Sequence, residues 1–470
     1  MTPEKNVRFK RTSRCLFATM LCVLALCAVH FLFGNRWQSA SAAQPVVSTV
    51  KHPEWSRSLS IYEVNLRQYT PEGTFKAFER HLPRLKDLGV GILWLMPIHP
   101  IGEENRKGSL GSYYSVKDYF AVNPEYGTME DFESLVGHIH ESGMYVILDW
   151  VANHTAWDNP LTTEHPEWFT QDSSGNFSPP VPDWSDVIDL NYDNRGLWEY
   201  MIRAMKFWVE ETDVDGFRCD VAGMVSMEFW NEARVELEKV KPVFMLAEAE
   251  GPEFHEDAFD MTYSWNFYYL MHDIVIGKKS AGDMLAYFDE ETVRYPKDAY
   301  RMRFLTNHDE NSWKGTVGEC FGDAAAVCAV LTATVPGMPL LYSGQEAGLD
   351  RRLLFFERDP IEWKEHAHAR LHSTLFNLKR KSRALWNGAS GGDMVRVTTS
   401  NDTAIFAFVR QKESEKVLVI ANLSDREQDF VLTGTRFPGD YLDALTGDKT
   451  SRPANARMSL KAWGYRVFVE

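Results

Sequence analysis

Residues 129–154 read MEDFESLVGHIHESGMYVILDWVANH, a helical pattern followed by a strand that ends in charge. Over Met129–Ser142 the apolar residues Phe132, Leu135, Val136 and Ile139 recur at helical spacing and form one face. Tyr145–Leu148 is then a short apolar run of the kind that a sheet buries on both faces. It delivers Asp149, Asn153 and His154 just beyond its end. The same alternation recurs in both directions from this unit. Ser60–Val64, Gly91–Met96, Gly216–Asp220, Val243–Ala247, Met261–Trp265, Met302–Thr306 and Pro339–Tyr342 are further strand candidates, eight with the first. Helical patterns lie between them, among them Thr74–Lys86 and Trp198–Val209. Strands alternating with helices give a parallel sheet. Eight such units predict an α/β chain whose main body, residues 55–385, is a (β/α)8 TIM barrel.

Two stretches depart from that rhythm. After the third strand, a short insertion over 155–188 carries Pro160, Pro166, Pro179, Pro180 and Pro182 and reads as a lid or binding wall. Its Trp157, Trp168 and Trp184 suit either sugar contact or packing onto the barrel. From residue 389 to 470 the texture changes to short strands: Met394–Thr399, Ala404–Arg410, Lys416–Asn422, Asp429–Leu432 and Tyr465–Val469. Turn signals separate them, which predicts a C-terminal all-β sandwich domain.

Composition narrows the function classes. The 470 residues are 44% hydrophobic and 25% charged, ordinary for a folded chain. A net charge of −16 argues against nucleic acid as a partner. At the N-terminus, Lys5, Arg8, Lys10, Arg11 and Arg14 precede an uncharged run from Cys15 to Gly34 and the small residues Ser-Ala-Ser-Ala-Ala. Residues 1–42 therefore read as a signal peptide cut after Ala42 or Ala43, which places the protein outside the cytoplasm, periplasmic or extracellular. The alternative is an uncleaved membrane anchor holding the same domain outside, the one route by which this chain would touch a membrane. Three cysteines follow the leader, Cys219, Cys320 and Cys328, enough for at most one bridge, Cys320–Cys328. His366, His368 and His372 lack the acidic partner of a helical zinc motif and read as a solvated helix face, as do His138 and His140.

The chemistry gathers at strand ends, where barrels of this kind place their active sites. Asp149, Arg218 with Asp220, Glu248, and Asn307-His308-Asp309 follow or close the third, fourth, fifth and seventh strands. Bringing four carboxylates to one mouth costs stability, and glycosidic cleavage is a reaction that needs such a pair.

The words around these residues are similar to those of a known family. Asp-Trp-Val-Ala-Asn-His (149–154), Gly-Phe-Arg-Cys-Asp-Val-Ala (216–222), Leu-Ala-Glu-Ala (246–249) and Phe-Leu-Thr-Asn-His-Asp (304–309) resemble the four signature blocks of the α-amylase family, glycoside hydrolase family 13. Tyr-Tyr-Ser-Val-Lys-Asp-Tyr (113–119) and Gly-Met-Pro-Leu-Leu-Tyr-Ser-Gly-Gln-Glu (337–346) look like further landmarks, and the resemblance covers roughly residues 58–470. It implies a retaining hydrolase of α-glucosidic bonds, α-1,4 with α-1,6 open, in maltooligosaccharides or starch-derived glucans. By the same resemblance Asp220 is the nucleophile, Glu248 the acid and base, and Asp309 the third catalytic carboxylate. Arg218 holds Asp220 ionised, while Tyr114, His154 and His308 bind the sugar and Asp149 supports them.

The chain departs from the family pattern after the nucleophile. Family α-amylases carry Lys and His three and four residues on, where this sequence has Gly223 and Met224. That removes usual contacts on the leaving-group side and part of a calcium site. No cofactor is required by this reading. Calcium stays open, because Asn153 matches a family calcium ligand. Two alternatives also stay open: an α-glucan glucosyltransferase using the same site, and a non-catalytic, membrane-anchored family member.

Overall fold

A computed structural model describes residues 47–433, 437–452 and 455–470, so the leader expected over 1–42 lies outside the described residues. Eight parallel strands close into a barrel: Ile61–Val64, Ile92–Leu95, Tyr145–Trp150, Gly216–Cys219, Phe244–Ala247, Met261–Tyr263, Tyr300–Arg303 and Met338–Tyr342. Each pairs with its neighbours in sequence order, and the eighth pairs with the first. Seven of the eight are buried at every residue, as a sheet wrapped by helices requires. All eight expected strands are present. The seventh sits earlier than Met302–Thr306 because its Arg301 and Arg303 are buried charges: both pair with Glu291, and Arg301 also with Glu250. A reading by apolar runs passes over such a strand start.

The helices follow the sequence closely where their faces are clean. Met129–Glu141 buries Phe132, Leu135, Val136 and Ile139, and a capping box between Thr128 and Asp131 starts it. Arg195–Thr212 begins at Asn194, whose side chain accepts from the Gly196 N–H. The single helix expected over Thr74–Lys86 is instead two, Phe75–Glu79 and Leu82–Leu88. Pro83 lacks an N–H to return to the Glu79 carbonyl, so the first helix cannot run into the second. Gly89 ends the second with φ 91°, a left-handed cap that a side chain would strain.

A two-stranded antiparallel ribbon, His154–Ala156 with Val187–Asp189, gathers both ends of the insertion. It is tied to the barrel through the Ala156 N–H on the Val116 carbonyl (2.9 Å) and Tyr119 Oη on the Val151 carbonyl (2.9 Å). Two lysines clamp the insertion, Lys117 on Asp158 and Lys107 on Asp186, each at 2.8 Å. Trp168 is buried and stacks on His165, so it packs the insertion. Trp184 stands beside His154, with ring centroids 5.4 Å apart.

The chain closes in antiparallel sheets of six and two strands. Gly439–Asp443, Lys449–Arg452 and Arg457–Leu460 join the five expected strands. Arg410 crosses from this domain to the barrel and donates to the carbonyls of Val335 and Trp386 at 3.2 and 3.0 Å. The one bridge that the cysteine count allows, Cys320–Cys328, is not formed. Cys320 lies on Val317–Phe321 and Cys328 on Ala325–Thr334, and Cys219, Cys320 and Cys328 are all free.

At the N-terminal mouth of the barrel, buried Asp260 takes bonds from Arg234 (2.7 Å), His52 (2.7 Å) and the Met245 N–H (2.8 Å). Burial alone would raise its carboxyl, but Arg234 and His52 hold it below its usual range. Asp260→Ala removes the buried carboxylate that Arg234 and His52 share, leaving them only the more exposed Glu238 and Asp298, and should cost about 3–5 kcal/mol in urea unfolding. Below the melting range kcat should be retained, because this face lies opposite the reactive one; equal stability would remove Asp260 as a keystone. His52 gains its partner on folding and is raised above 6.5. Its share of the stability is therefore full below that pH and lost as pH climbs through the raised value.

Candidate active site

Register brings the polar residues together. In a strand, alternate residues share a face, and Asp149 stands opposite Arg218 across the third and fourth strands. Asp220 lies two residues beyond Arg218 on the same face, while Cys219 between them turns outward and is buried. On the first and second strands Glu63 stands opposite Trp94, and both face inward.

Arg218 is the centre. Its Nη1 donates to Asp149 Oδ1 at 2.9 Å and to Asp220 Oδ1 at 2.8 Å, and its Nη2 lies 2.8 Å from Glu248 Oε2. One fully buried guanidinium thus holds carboxylates from three strands. Tyr263 Oη and the Trp94 ring complete its surroundings, at 3.3 Å from Nη2 and 5.0 Å from the guanidinium carbon. Glu248 is also held by the Val221 N–H at 2.8 Å. That N–H points there because Val221 is left-handed, φ 35° and ψ 46°, a rare conformation for a β-branched residue and one found at functional sites.

The sugar-binding candidates join the same network. Tyr114 Oη donates to Asp149 Oδ2 (3.1 Å) and meets His308 Nε2 at 2.8 Å, and its ring stacks on that of His308. His308 Nε2 lies 3.5 Å from Asp309 Oδ2, and His154 Nε2 lies 3.9 Å from Asp220 Oδ2. Asp220, Glu248, Asp309, Tyr114, His154, Arg218 and His308 therefore form one connected group, with Asp149 as the link. Asp309 is its exposed member, 42% accessible.

Protonation follows from burial and neighbours. Burial raises Asp149 and Asp220 to about 6, against the pull of Arg218. Glu248 goes further, to about 7: burial comes first, and the charges of Asp220 and Asp309 add to it against Arg218. Of the three acids on Arg218, Glu248 is thus the last to give up its proton. Burial alone would lower His308, but Asp309 and Glu63 carry it up to about 9, so it is cationic at neutral pH. Burial lowers His154 to about 3, so it is neutral.

Two functional residues escape a motif reading. Glu63 accepts from His308 Nδ1 and fixes that ring; Trp94 Nε1 donates to Asp149 Oδ2 at 3.0 Å. The signal for Glu63 was present: a lone acid inside the apolar run Ile-Tyr-Glu-Val, on a strand with both faces buried.

The oxygens around Asn153 are already engaged in part. Asn153 turns its amide nitrogen to His154 (3.3 Å) and its backbone carbonyl to the Leu190 N–H (3.0 Å). Asp158 and Asp186 of the insertion already carry lysine ammonium groups. Among the described residues no group of three or more His, Cys, Asp or Glu could hold a metal ion. Of the helical histidines read as solvated, His372 is buried, its Nδ1 2.8 Å from the His368 carbonyl oxygen. His140 is half-buried against Asp215 at 2.8 Å.

The chain is similar to known proteins over most of its length. The family model for the alpha-amylase catalytic domain matches residues 31–185 and 163–383. The model for the alpha-amylase SusG C-terminal domain matches residues 405–465. Alpha-amylase 3 of Dictyoglomus thermophilum is 26% identical over 454 residues, covering 80% of this chain and 87% of that protein. A noncanonic maltogenic alpha-amylase, AmyB of Thermotoga neapolitana, superimposes with TM-score 0.80 at 33% identity, over 88% of this chain and 98% of that one. An alpha-amylase of Lactobacillus plantarum does so with TM-score 0.78 at 32% identity, over 88% and 99%.

Proposed function

Since the chain belongs to the alpha-amylase catalytic-domain family and is a glycoside hydrolase of that type, we propose that it cleaves α-1,4 bonds, with α-1,6 bonds also admitted, in maltooligosaccharides and starch-derived glucans by double displacement. The observation that carries this reading is the attachment of Asp220 and Glu248 to two different nitrogens of Arg218. A retaining glycosidase needs two carboxyl groups about 5–5.5 Å apart, one ionised and one protonated. Arg218 supports the pair, and burial sorts their protons.

Asp220 attacks the anomeric carbon while Glu248 passes its proton to the departing oxygen, and the glycosidic bond breaks. Esterified Asp220 no longer carries a charge, so Glu248 loses part of what raised it and becomes a competent base. It then takes a proton from water as the water oxygen displaces Asp220. Asp309, exposed at the mouth, accepts from sugar hydroxyls, and cationic His308 and neutral His154 hold others. Tyr114 offers its ring to the sugar at the cut. Relatives named alpha-amylase and maltogenic alpha-amylase favour hydrolysis over glucosyl transfer, and the intact acids count against a non-catalytic subunit.

Glu248→Gln should lower kcat/KM on maltohexaose by roughly 10²–10⁴-fold while sparing α-glucosyl fluoride, whose leaving group needs no proton. In the unmodified protein kcat/KM should fall on the alkaline side with an apparent pKa of about 7, and that limb should vanish on the fluoride. An equal loss on both substrates would overturn the acid role. The ammonium groups of Lys107 and Lys117 already clamp the insertion by its acids. EDTA should therefore leave activity and melting temperature unchanged, and a drop restored by calcium would contradict this.

A further inference from the structure

An aromatic wall runs outward from the reacting groups, and the double displacement makes no use of it. Phe355, from the segment after the eighth strand, lies nearly parallel to Tyr114, with centroids 6.3 Å apart and planes at 16°. Trp313 extends the wall, 5.4 Å from Phe355 and 5.9 Å from Phe356, yet 46% of it is exposed. A large ring such as Trp313, held open to water at the end of half-buried Phe355 and Phe356, marks a binding surface rather than core.

The wall is held in place by its surroundings. Trp313 lies on Glu310–Lys314, a π-helical turn directly after Asp309, and such turns recur at functional sites. Lys314 Nζ pairs with Glu310 at 2.7 Å and stands over the Tyr269 ring at 5.0 Å. Asn311 of the same turn accepts the Leu353 N–H (2.9 Å) and donates to the Arg351 carbonyl (3.2 Å), which fixes the turn to the segment bearing Phe355.

Direction follows from the acid. Glu248 meets Arg218 at Nη2, beside Tyr263, and the leaving group departs on that side. Tyr114 stands on the Asp149 and His308 side, and the wall continues from it. Pyranose rings present flat C–H faces, and aromatic rings stack on such surfaces.

We propose that Trp313, backed by Phe355 and Phe356, stacks on a glucosyl unit on the non-reducing side of the scissile bond, and so sets a preference for longer glycones. This rests on α-glucan hydrolysis at the same site. The test is kcat/KM on p-nitrophenyl α-glycosides bearing one to four glucosyl units, with the full chain and its Trp313→Ala and Trp313→Phe variants. The gain from the shortest to the longest glycone should fall roughly 3- to 10-fold in Trp313→Ala. Trp313→Phe should keep most of that gain. Trp313→Leu, apolar but without a ring, gives the same reading should the Ala variant not fold. A gain within twofold of the unmodified protein's, or an equal loss at every length, would overturn the proposal. Failure of the unmodified protein to cleave any of the series would instead overturn the hydrolysis reading, and this inference with it.

Discussion

Everything at the mouth of this barrel depends on the guanidinium of Arg218. It is buried, and it meets Asp149, Asp220 and Glu248 within 2.9 Å. Without it, three acids from three strands would repel one another in a medium poor in water. With it, a positive charge stands among the three acids and offsets their mutual repulsion. Burial and neighbouring charges raise Glu248 furthest, the acid to which the proposed double displacement gives the proton. The interaction that gathers the acids is thus the one that the proposed chemistry uses.

The backbone carries the second half of the design. Val221 stands directly after Asp220 in a left-handed conformation that a β-branched residue rarely takes. That turn aims its N–H at Glu248 and couples the end of the fourth strand to the acid of the fifth. On the far side, His308 is gripped between Glu63 and Tyr114, so its charge is fixed in place before any sugar arrives. Such preorganised donors stabilise developing charge without rearranging during the reaction.

The barrel was legible because its strands are apolar runs that stop at polar residues, and helical faces such as Phe132–Ile139 separate them. That the candidate acids lie together was legible because they stand at strand ends, two residues from Arg218 or in Asn-His-Asp. What was not legible has physical reasons. Arg301 and Arg303 are buried charges inside a strand, so the seventh strand was placed late. Gly439–Asp443 and Arg457–Leu460 mix buried and exposed residues and Lys449–Arg452 buries none, over four or five positions, too short for a period to show. Pro83 divides a helix whose apolar spacing reads as continuous. Glu63 looked like one more strand residue, since its partner His308 lies 245 positions away.

The central claim is that Arg218 keeps Asp220 ionised as the attacking group while Glu248 holds the proton. Its most direct test is to trap the intermediate. The protein would be incubated with 5-fluoro-α-glucosyl fluoride, whose extra fluorine slows breakdown of a glycosyl ester, then digested and its peptides weighed. A glycosyl adduct on the peptide carrying Asp220, absent from Asp220→Asn, is the result expected. An adduct on Asp309 or Glu248, or turnover to the β-anomer with no adduct, would contradict it.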